Sequence, residues 1–138
     1  MQRLLTIYTD GAARGNPGPS ASGFIAVEDG KVIGSEFRPN GKKTNNYAEY
    51  AAMIMGLEWC AVQQDPGSIR VLIRSDSELV VRQARGEYRV KAHGLRALNR
   101  RLAELASRFA GVDFQSLPRE NRMISRVDRE LNLLLDRG

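Results

Sequence analysis

Three strand-like runs in a row, followed by an exchange of helix and strand, leave this chain few folds to choose from. Leu4 to Thr9 alternates and is bounded by a glycine-rich turn, so it reads as a strand. Ala21 to Glu28 and Lys31 to Arg38 read as two more, joined at Asp29-Gly30, a pair favoured in tight hairpins. Tyr47 to about Gln63 carries apolar residues at helical spacing and stops at Asp65-Pro66-Gly67. Ile69 to Ser75 is β-branched and apolar, which predicts a central strand. A short helix from about Glu78 to Ala84 halts at Gly86, and a longer amphipathic one runs from Leu95 to Ala110. Val112 to Leu117 is the last strand, and Ser125 to Leu135 the last helix. Consecutive early strands predict an antiparallel meander, and the later alternation predicts parallel pairing through helical crossovers. The expected architecture is α/β, a mixed five-stranded sheet with three antiparallel strands and then parallel ones, flanked by helices. No repeat or linker divides the chain, so residues 1–138 read as a single domain.

A chain of 138 residues is long enough for a core without disulfides. Its one cysteine, Cys60, lies in an apolar helical stretch and reads as a core thiol. Leu4-Leu5-Thr6-Ile7 is too short for a signal peptide, and no run approaches a membrane span, so a cytoplasmic protein is expected. The net charge is +5. If several acids are drawn into one pocket, the remaining surface is strongly basic, which suits a polyanionic partner.

Four acids stand at element ends or on apolar faces: Asp10, Glu49, Asp76 and Asp128. Asp10 and Asp76 close the first and fourth strands. If those strands are parallel neighbours, both acids emerge at the same carboxyl edge, where such sheets bind ligands. Glu49 shares a helix face with Ala52, Met53, Gly56 and Cys60, and Asp128 lies in line with Ile124, Leu131 and Leu135. An acid on a core-facing stripe breaks the pattern, as functional sites do. Singly, each has another use: a turn at Asp10-Gly11, a capping box over Ser75-Asp76-Ser77-Glu78, a helix-dipole acid at Glu49, and a surface pair of Asp128 with Arg126 or Arg129. Together they make a cage of oxygen ligands for hard cations such as Mg²⁺, with Mn²⁺ as a substitute. Without metal, at least one of them is expected to titrate above its ordinary value.

Tyr8-Thr9-Asp10-Gly11, Gly15-Asn16-Pro17-Gly18, Thr44-Asn45-Asn46 ahead of Ala48-Glu49, and Ser75-Asp76-Ser77 resemble type 1 ribonuclease H, over residues 4 to 135. The resemblance implies a ribonuclease H-like fold and metal ligands at Asp10, Glu49, Asp76 and Asp128. It implies two divalent ions per site; Asp10, at the sheet edge between both helical acids, is the choice for the bridging ligand, with Glu49 and Asp76 completing one ion and Asp128 the other. The implied reaction is endonucleolytic hydrolysis of the RNA strand of an RNA/DNA hybrid, giving 5′-phosphate and 3′-hydroxyl ends. Two departures stand out. The loop Pro118-Arg119-Glu120-Asn121-Arg122 lacks the histidine many members carry before the last acid, so Arg119 is the candidate for its role. The one histidine, His93, reads as a solvated loop residue. Gly86 to Gly94 leaves no room for the basic protrusion of longer members, which makes this a short form.

Reading RNA requires contact with the 2′-hydroxyl. Asn16, Asn45 and Asn46 flank the expected pocket with amides of both polarities, and Gly11 lets the backbone approach the nucleic acid. The stretch Arg82, Arg85, Arg89, Lys91, Arg96 and Arg100 is the densest in cations. Within it Arg85, Arg89 and Lys91 are candidates for the DNA-strand phosphates. A monomer is expected. Two other readings stay open: a catalytically weak nucleic-acid-binding module of the same fold, and a nuclease for double-stranded RNA or a DNA junction.

Overall fold

The computed structural model describes residues 2–137. Five strands form one sheet: β1 (Arg3–Ala13), β2 (Gly18–Glu28), β3 (Lys31–Lys43), β4 (Ile69–Ser75) and β5 (Gly111–Ser116). Their order across the sheet is β3-β2-β1-β4-β5. β1 pairs antiparallel with β2 and parallel with β4, β2 pairs antiparallel with β3, and β4 pairs parallel with β5. The mixed sheet expected from the element order is therefore the one observed.

The first three strands run longer than their apolar alternation predicts. β1 continues through Asp10 to Ala13 because β2 keeps bonding it, with Asp10 opposite Gly23 and Ala13 opposite Ser20. Asp10 thus lies inside a strand, although it falls beyond the parallel rungs shared with β4, which stop at Tyr8 opposite Arg74. β3 reaches Lys43 through a register shift beside Ala21, where Pro39 sits on the open edge that needs no donor from it. At the Asp29-Gly30 turn both residues have positive φ, 51° and 76°, as a two-residue hairpin requires.

Four helices cover the two faces: α1 (Asn45–Ala61), α2 (Glu78–Ala84), α3 (His93–Ala106) and α4 (Arg122–Arg137). Thr44 caps α1 by accepting from the Tyr47 amide. α3 begins earlier than its apolar pattern, so exposed His93 is its first residue rather than a loop residue. It also stops four residues short of the expected Ala110, because the Arg108 and Phe109 amides close tight turns onto Leu105 and Ala106. α4 starts at Arg122 because the Asn121 side chain accepts from the Met123 and Ile124 amides. No helix among the described residues is long and apolar enough to cross a membrane.

The sheet separates two cores. Leu5, Ile7, Val71 and Ile73 project with Phe24 toward α1, α2 and α3, meeting Met53, Leu57, Val81 and Leu102. On the other face Ala21 and Ile25 pack under Val127 and Leu131 of α4, with Tyr8 and Ala12 alongside. β1 is thus clamped between α1 and α4, and its end is where both helices bring their acids.

Candidate metal centre at the carboxyl edge of the sheet

Asp10 and Asp76 each stand two residues beyond the same parallel rung, Tyr8 opposite Arg74, so both reach the same edge. Glu49 arrives from α1, which rests directly on β1. A Cβ on Gly11 would lie 2.2 Å from the Ala48 carbonyl carbon and 2.4 Å from the Glu49 nitrogen, so only glycine admits this approach. Asp10, Glu49 and Asp76 each offer an oxygen within 4.8 Å of the others. Asp128, half-buried on α4, lines the same open hollow of about 430 Å³ together with these three and Arg119. It lies outside the tight trio.

The polar support is arranged around Glu49. Its Oε1 accepts from the Gly11 amide at 2.9 Å and its Oε2 from the Ser75 hydroxyl at 3.2 Å. Asp128 accepts from Asn132 Nδ2 at 3.3 Å, one helical turn on. The Arg14 guanidinium pairs with Asp136 at 2.6 Å and reaches the Asn132 side-chain oxygen at 3.3 Å. Among the described residues, no lysine or arginine forms an ion pair with any of the four acids. The mundane alternatives for them do not materialise. Ser77, not Ser75 or Asp76, caps α2 by accepting from the Val80 amide, and Asp128 meets neither Arg126 nor Arg129.

Unneutralised burial shows in the titration of the trio. Asp10, 4 % exposed, is pushed up to about 10, by burial first and then by the charges of Glu49, Asp76 and Asp128. Burial also raises Glu49, to about 7, against the bonds that favour its charge. Asp76 is raised by burial, with Arg119 pulling the other way. An all-oxygen set of two buried acids and one half-buried acid, none in an ion pair among the described residues, is the donor chemistry that a hard divalent ion satisfies.

The other expected site residues are distributed unevenly. Asn45 and Gly11 line the hollow with the acids. Asn16 is exposed, and its side-chain oxygen accepts from the Asn45 amide at 2.9 Å, tying the β1–β2 turn to the start of α1. Asn46 faces a neighbouring depression with Arg89 and Lys91. Arg85 turns to the β5 edge, donating to the Phe114 carbonyl at 2.8 Å and pairing with Glu87. Ser75, Arg14 and Asn132 escaped the sequence reading. The spacing of Asn132 four residues after Asp128 was the one available signal. Cys60 is fully buried, and burial pushes its thiol up to about 12, as an inert core group.

The pattern of the RNase H family matches residues 2–110 of this chain. That span includes the trio and leaves Asp128 and α4 outside it. Ribonuclease HI of Halobacterium salinarum is 38% identical over 130 residues, which cover 94% of this chain and 63% of that protein. The bifunctional protein Rv2228c of Mycobacterium tuberculosis is 34% identical over 134 residues, 96% of this chain and 35% of that protein. The chain therefore spans less than two thirds of these relatives. Among solved structures, RNase H1 from the halophilic archaeon superposes with a TM-score of 0.89 at 34% identity, covering 98% of this chain and 99% of that one. LC11-RNase H1 in complex with an RNA/DNA hybrid superposes with a TM-score of 0.90 at 36% identity, over 96% and 97% of the two chains.

Proposed function

Because the chain belongs to the RNase H family, we propose that it is a metal-dependent endoribonuclease that hydrolyses the RNA strand of an RNA/DNA hybrid. The observation that carries this reading is the meeting of Asp10, Glu49 and Asp76 within 4.8 Å at a sheet edge, with no ion pair to any of them among the described residues. The hybrid held by the LC11 enzyme, whose backbone this chain follows closely, supports the choice of substrate.

Asp10, Glu49 and Asp76 would hold one Mg²⁺, and Asp10 with Asp128 a second. Such a pair of ions supplies an acidified water and neutralises the charge on the departing 3′ oxygen, so that the products are a 5′-phosphate and a 3′-hydroxyl. Asp10, whose pKa burial raises, would give up its proton on becoming a ligand, so ion uptake would release a proton near neutral pH. Glu49 would complete the set with its carboxylate held by Gly11 and Ser75, one bond to each oxygen. Arg119 stands exposed at the mouth, beside Asp76, where a guanidinium meets the charge of an entering or departing phosphate. Asn45 offers its side-chain amide to a 2′-hydroxyl, while its backbone amide is occupied by Asn16. Arg89 and Lys91, exposed and outside every ion pair among the described residues, would contact phosphates of the DNA strand.

An end-labelled RNA/DNA hybrid, incubated with Mg²⁺ and then with chelator, tests the reading. Cleavage confined to the RNA strand and abolished by chelator is expected. Parallel substrates of double-stranded RNA and a DNA junction separate it from other nucleases of the same fold. An intact hybrid in both Mg²⁺ and Mn²⁺ would overturn hybrid cleavage, and intact parallel substrates as well would leave only a binding module.

A further inference from the structure

We propose that Ser75 is a positioning residue for Glu49: its hydroxyl locks that carboxylate in the orientation that binds metal, and so joins the third acid-bearing segment to the second. The inference rests on the metal-dependent reading above. Ser75 is fully buried at the last position of β4. Its backbone cannot drift, because the strand pairs it with Ser116 of β5 and its carbonyl accepts from the Leu117 amide at 2.8 Å.

The direction of its hydrogen bond is settled by its neighbours. A serine hydroxyl has one proton to give and two lone pairs to accept with. The Ser77 amide donates to Ser75 Oγ at 3.0 Å, which takes up one of those lone pairs. The proton is left for Glu49 Oε2, 3.2 Å away. A carboxylate only accepts, so this bond and the one from Gly11 at 2.9 Å both favour the ionised, metal-binding form and hold the group against rotation. Because Ser75 precedes Asp76 directly, it also sets the spacing between the acid on β4–α2 and the acid on α1. Ser77 is occupied elsewhere as the cap of α2, so its hydroxyl does not stand in for the Ser75 donor. Partners that orient a metal ligand in this way change ion affinity by roughly 10–100-fold when removed.

The test is calorimetric titration of Mg²⁺ and of Mn²⁺ into the full chain without nucleic acid, comparing the wild type, Ser75→Ala and Ser75→Thr. Thermal unfolding in chelator reports the fold of each. Ser75→Ala is expected to stay folded and bind the ions at least about tenfold more weakly, with cleavage needing correspondingly more Mg²⁺ and the hybrid KM nearly unchanged. Ser75→Thr, which keeps the hydroxyl, is expected to bind more tightly than the alanine variant. Ion affinity in Ser75→Ala equal to the wild type would overturn the role of Ser75 and leave the metal-dependent reading intact. Failure of the wild type itself to take up either ion would overturn both. Should Ser75→Ala not fold, Ser75→Thr decides: affinity lowered as much as in Glu49→Gln shows that a hydroxyl there does not position the acid.

Discussion

Asp10 is buried with no cationic partner among the described residues, so in metal-free protein a proton holds off its charge. Its folded pKa of about 10 stands above the ordinary 3.8, so the folded state binds the extra proton between those values. Stability then falls as pH rises through that window, and is fullest below it. In chelator, the gap in unfolding temperature between Asp10→Asn and wild type should widen in favour of the variant from pH 5 to pH 9. A flat gap would show that Asp10 carries no such strain. Mg²⁺ should close most of it by stabilising only the wild type. The same Asp10→Asn change should lower hybrid cleavage by roughly a hundredfold or more while binding of the hybrid is retained, as a filter-binding assay with Mg²⁺ would report. Arg119 forms no ion pair with the four acids among the described residues and lines the mouth of the hollow, where its proposed role is to meet the phosphate. Arg119→Ala should slow multiple-turnover cleavage about tenfold, below the 10²–10⁴ of a group that transfers the proton in the transition state. Unchanged steady-state rates would remove it from the machinery.

At the scale of elements, the site depends on how closely α1 and α4 press on the two faces of β1. On the α1 side the contact is main chain against main chain at Gly11. Gly11→Ala should therefore cost roughly 3 kcal/mol or more, the upper range for overpacking, because the methyl meets backbone and not a yielding side chain. Urea unfolding would measure it, and a cost under 1 kcal/mol would mean that α1 can back away. On the other side α4 is seated by Val127 and Leu131, and further tied by Arg14 to the β1–β2 turn. That turn also holds the start of α1 through Asn16. One four-residue connection thus touches both helices that carry acids, which explains why its composition matters more to the site than its exposure suggests.

Across the whole molecule, a positive surface surrounds a negative hollow, and ion pairing decides where the positive charge is free. Arg3, Arg82, Arg101 and Arg108 are each committed to glutamates. Arg89, Lys91 and Arg100 enter no ion pair among the described residues and cluster on the segment between α2 and α3 and on α3 itself. Hybrid affinity should fall steeply with salt, and Arg89→Ala and Lys91→Ala should each reduce the slope of log affinity against log salt by about one. Slopes identical to wild type would place the nucleic acid on another face. The Arg101 cation is already paired with Glu58, so removal of that pair should leave these slopes unchanged.

The sequence by itself determined the elements, the sheet they form and the identity of the acids, because helix and strand periodicity and turn chemistry are local signals. An acid on an apolar stripe, as at Glu49 or Asp128, is equally visible without coordinates. Strand ends were less legible: β1 runs on past Thr9 because β2, distant in sequence, supplies its partners. Only the tertiary structure decided that Glu49 rests on Gly11, that Ser75 aims its proton at Glu49, and that Arg85 is spent on the Phe114 carbonyl while Arg89 enters no ion pair among the described residues. Such facts depend on where a side chain finds itself after distant segments pack, and no spacing along the chain encodes that direction.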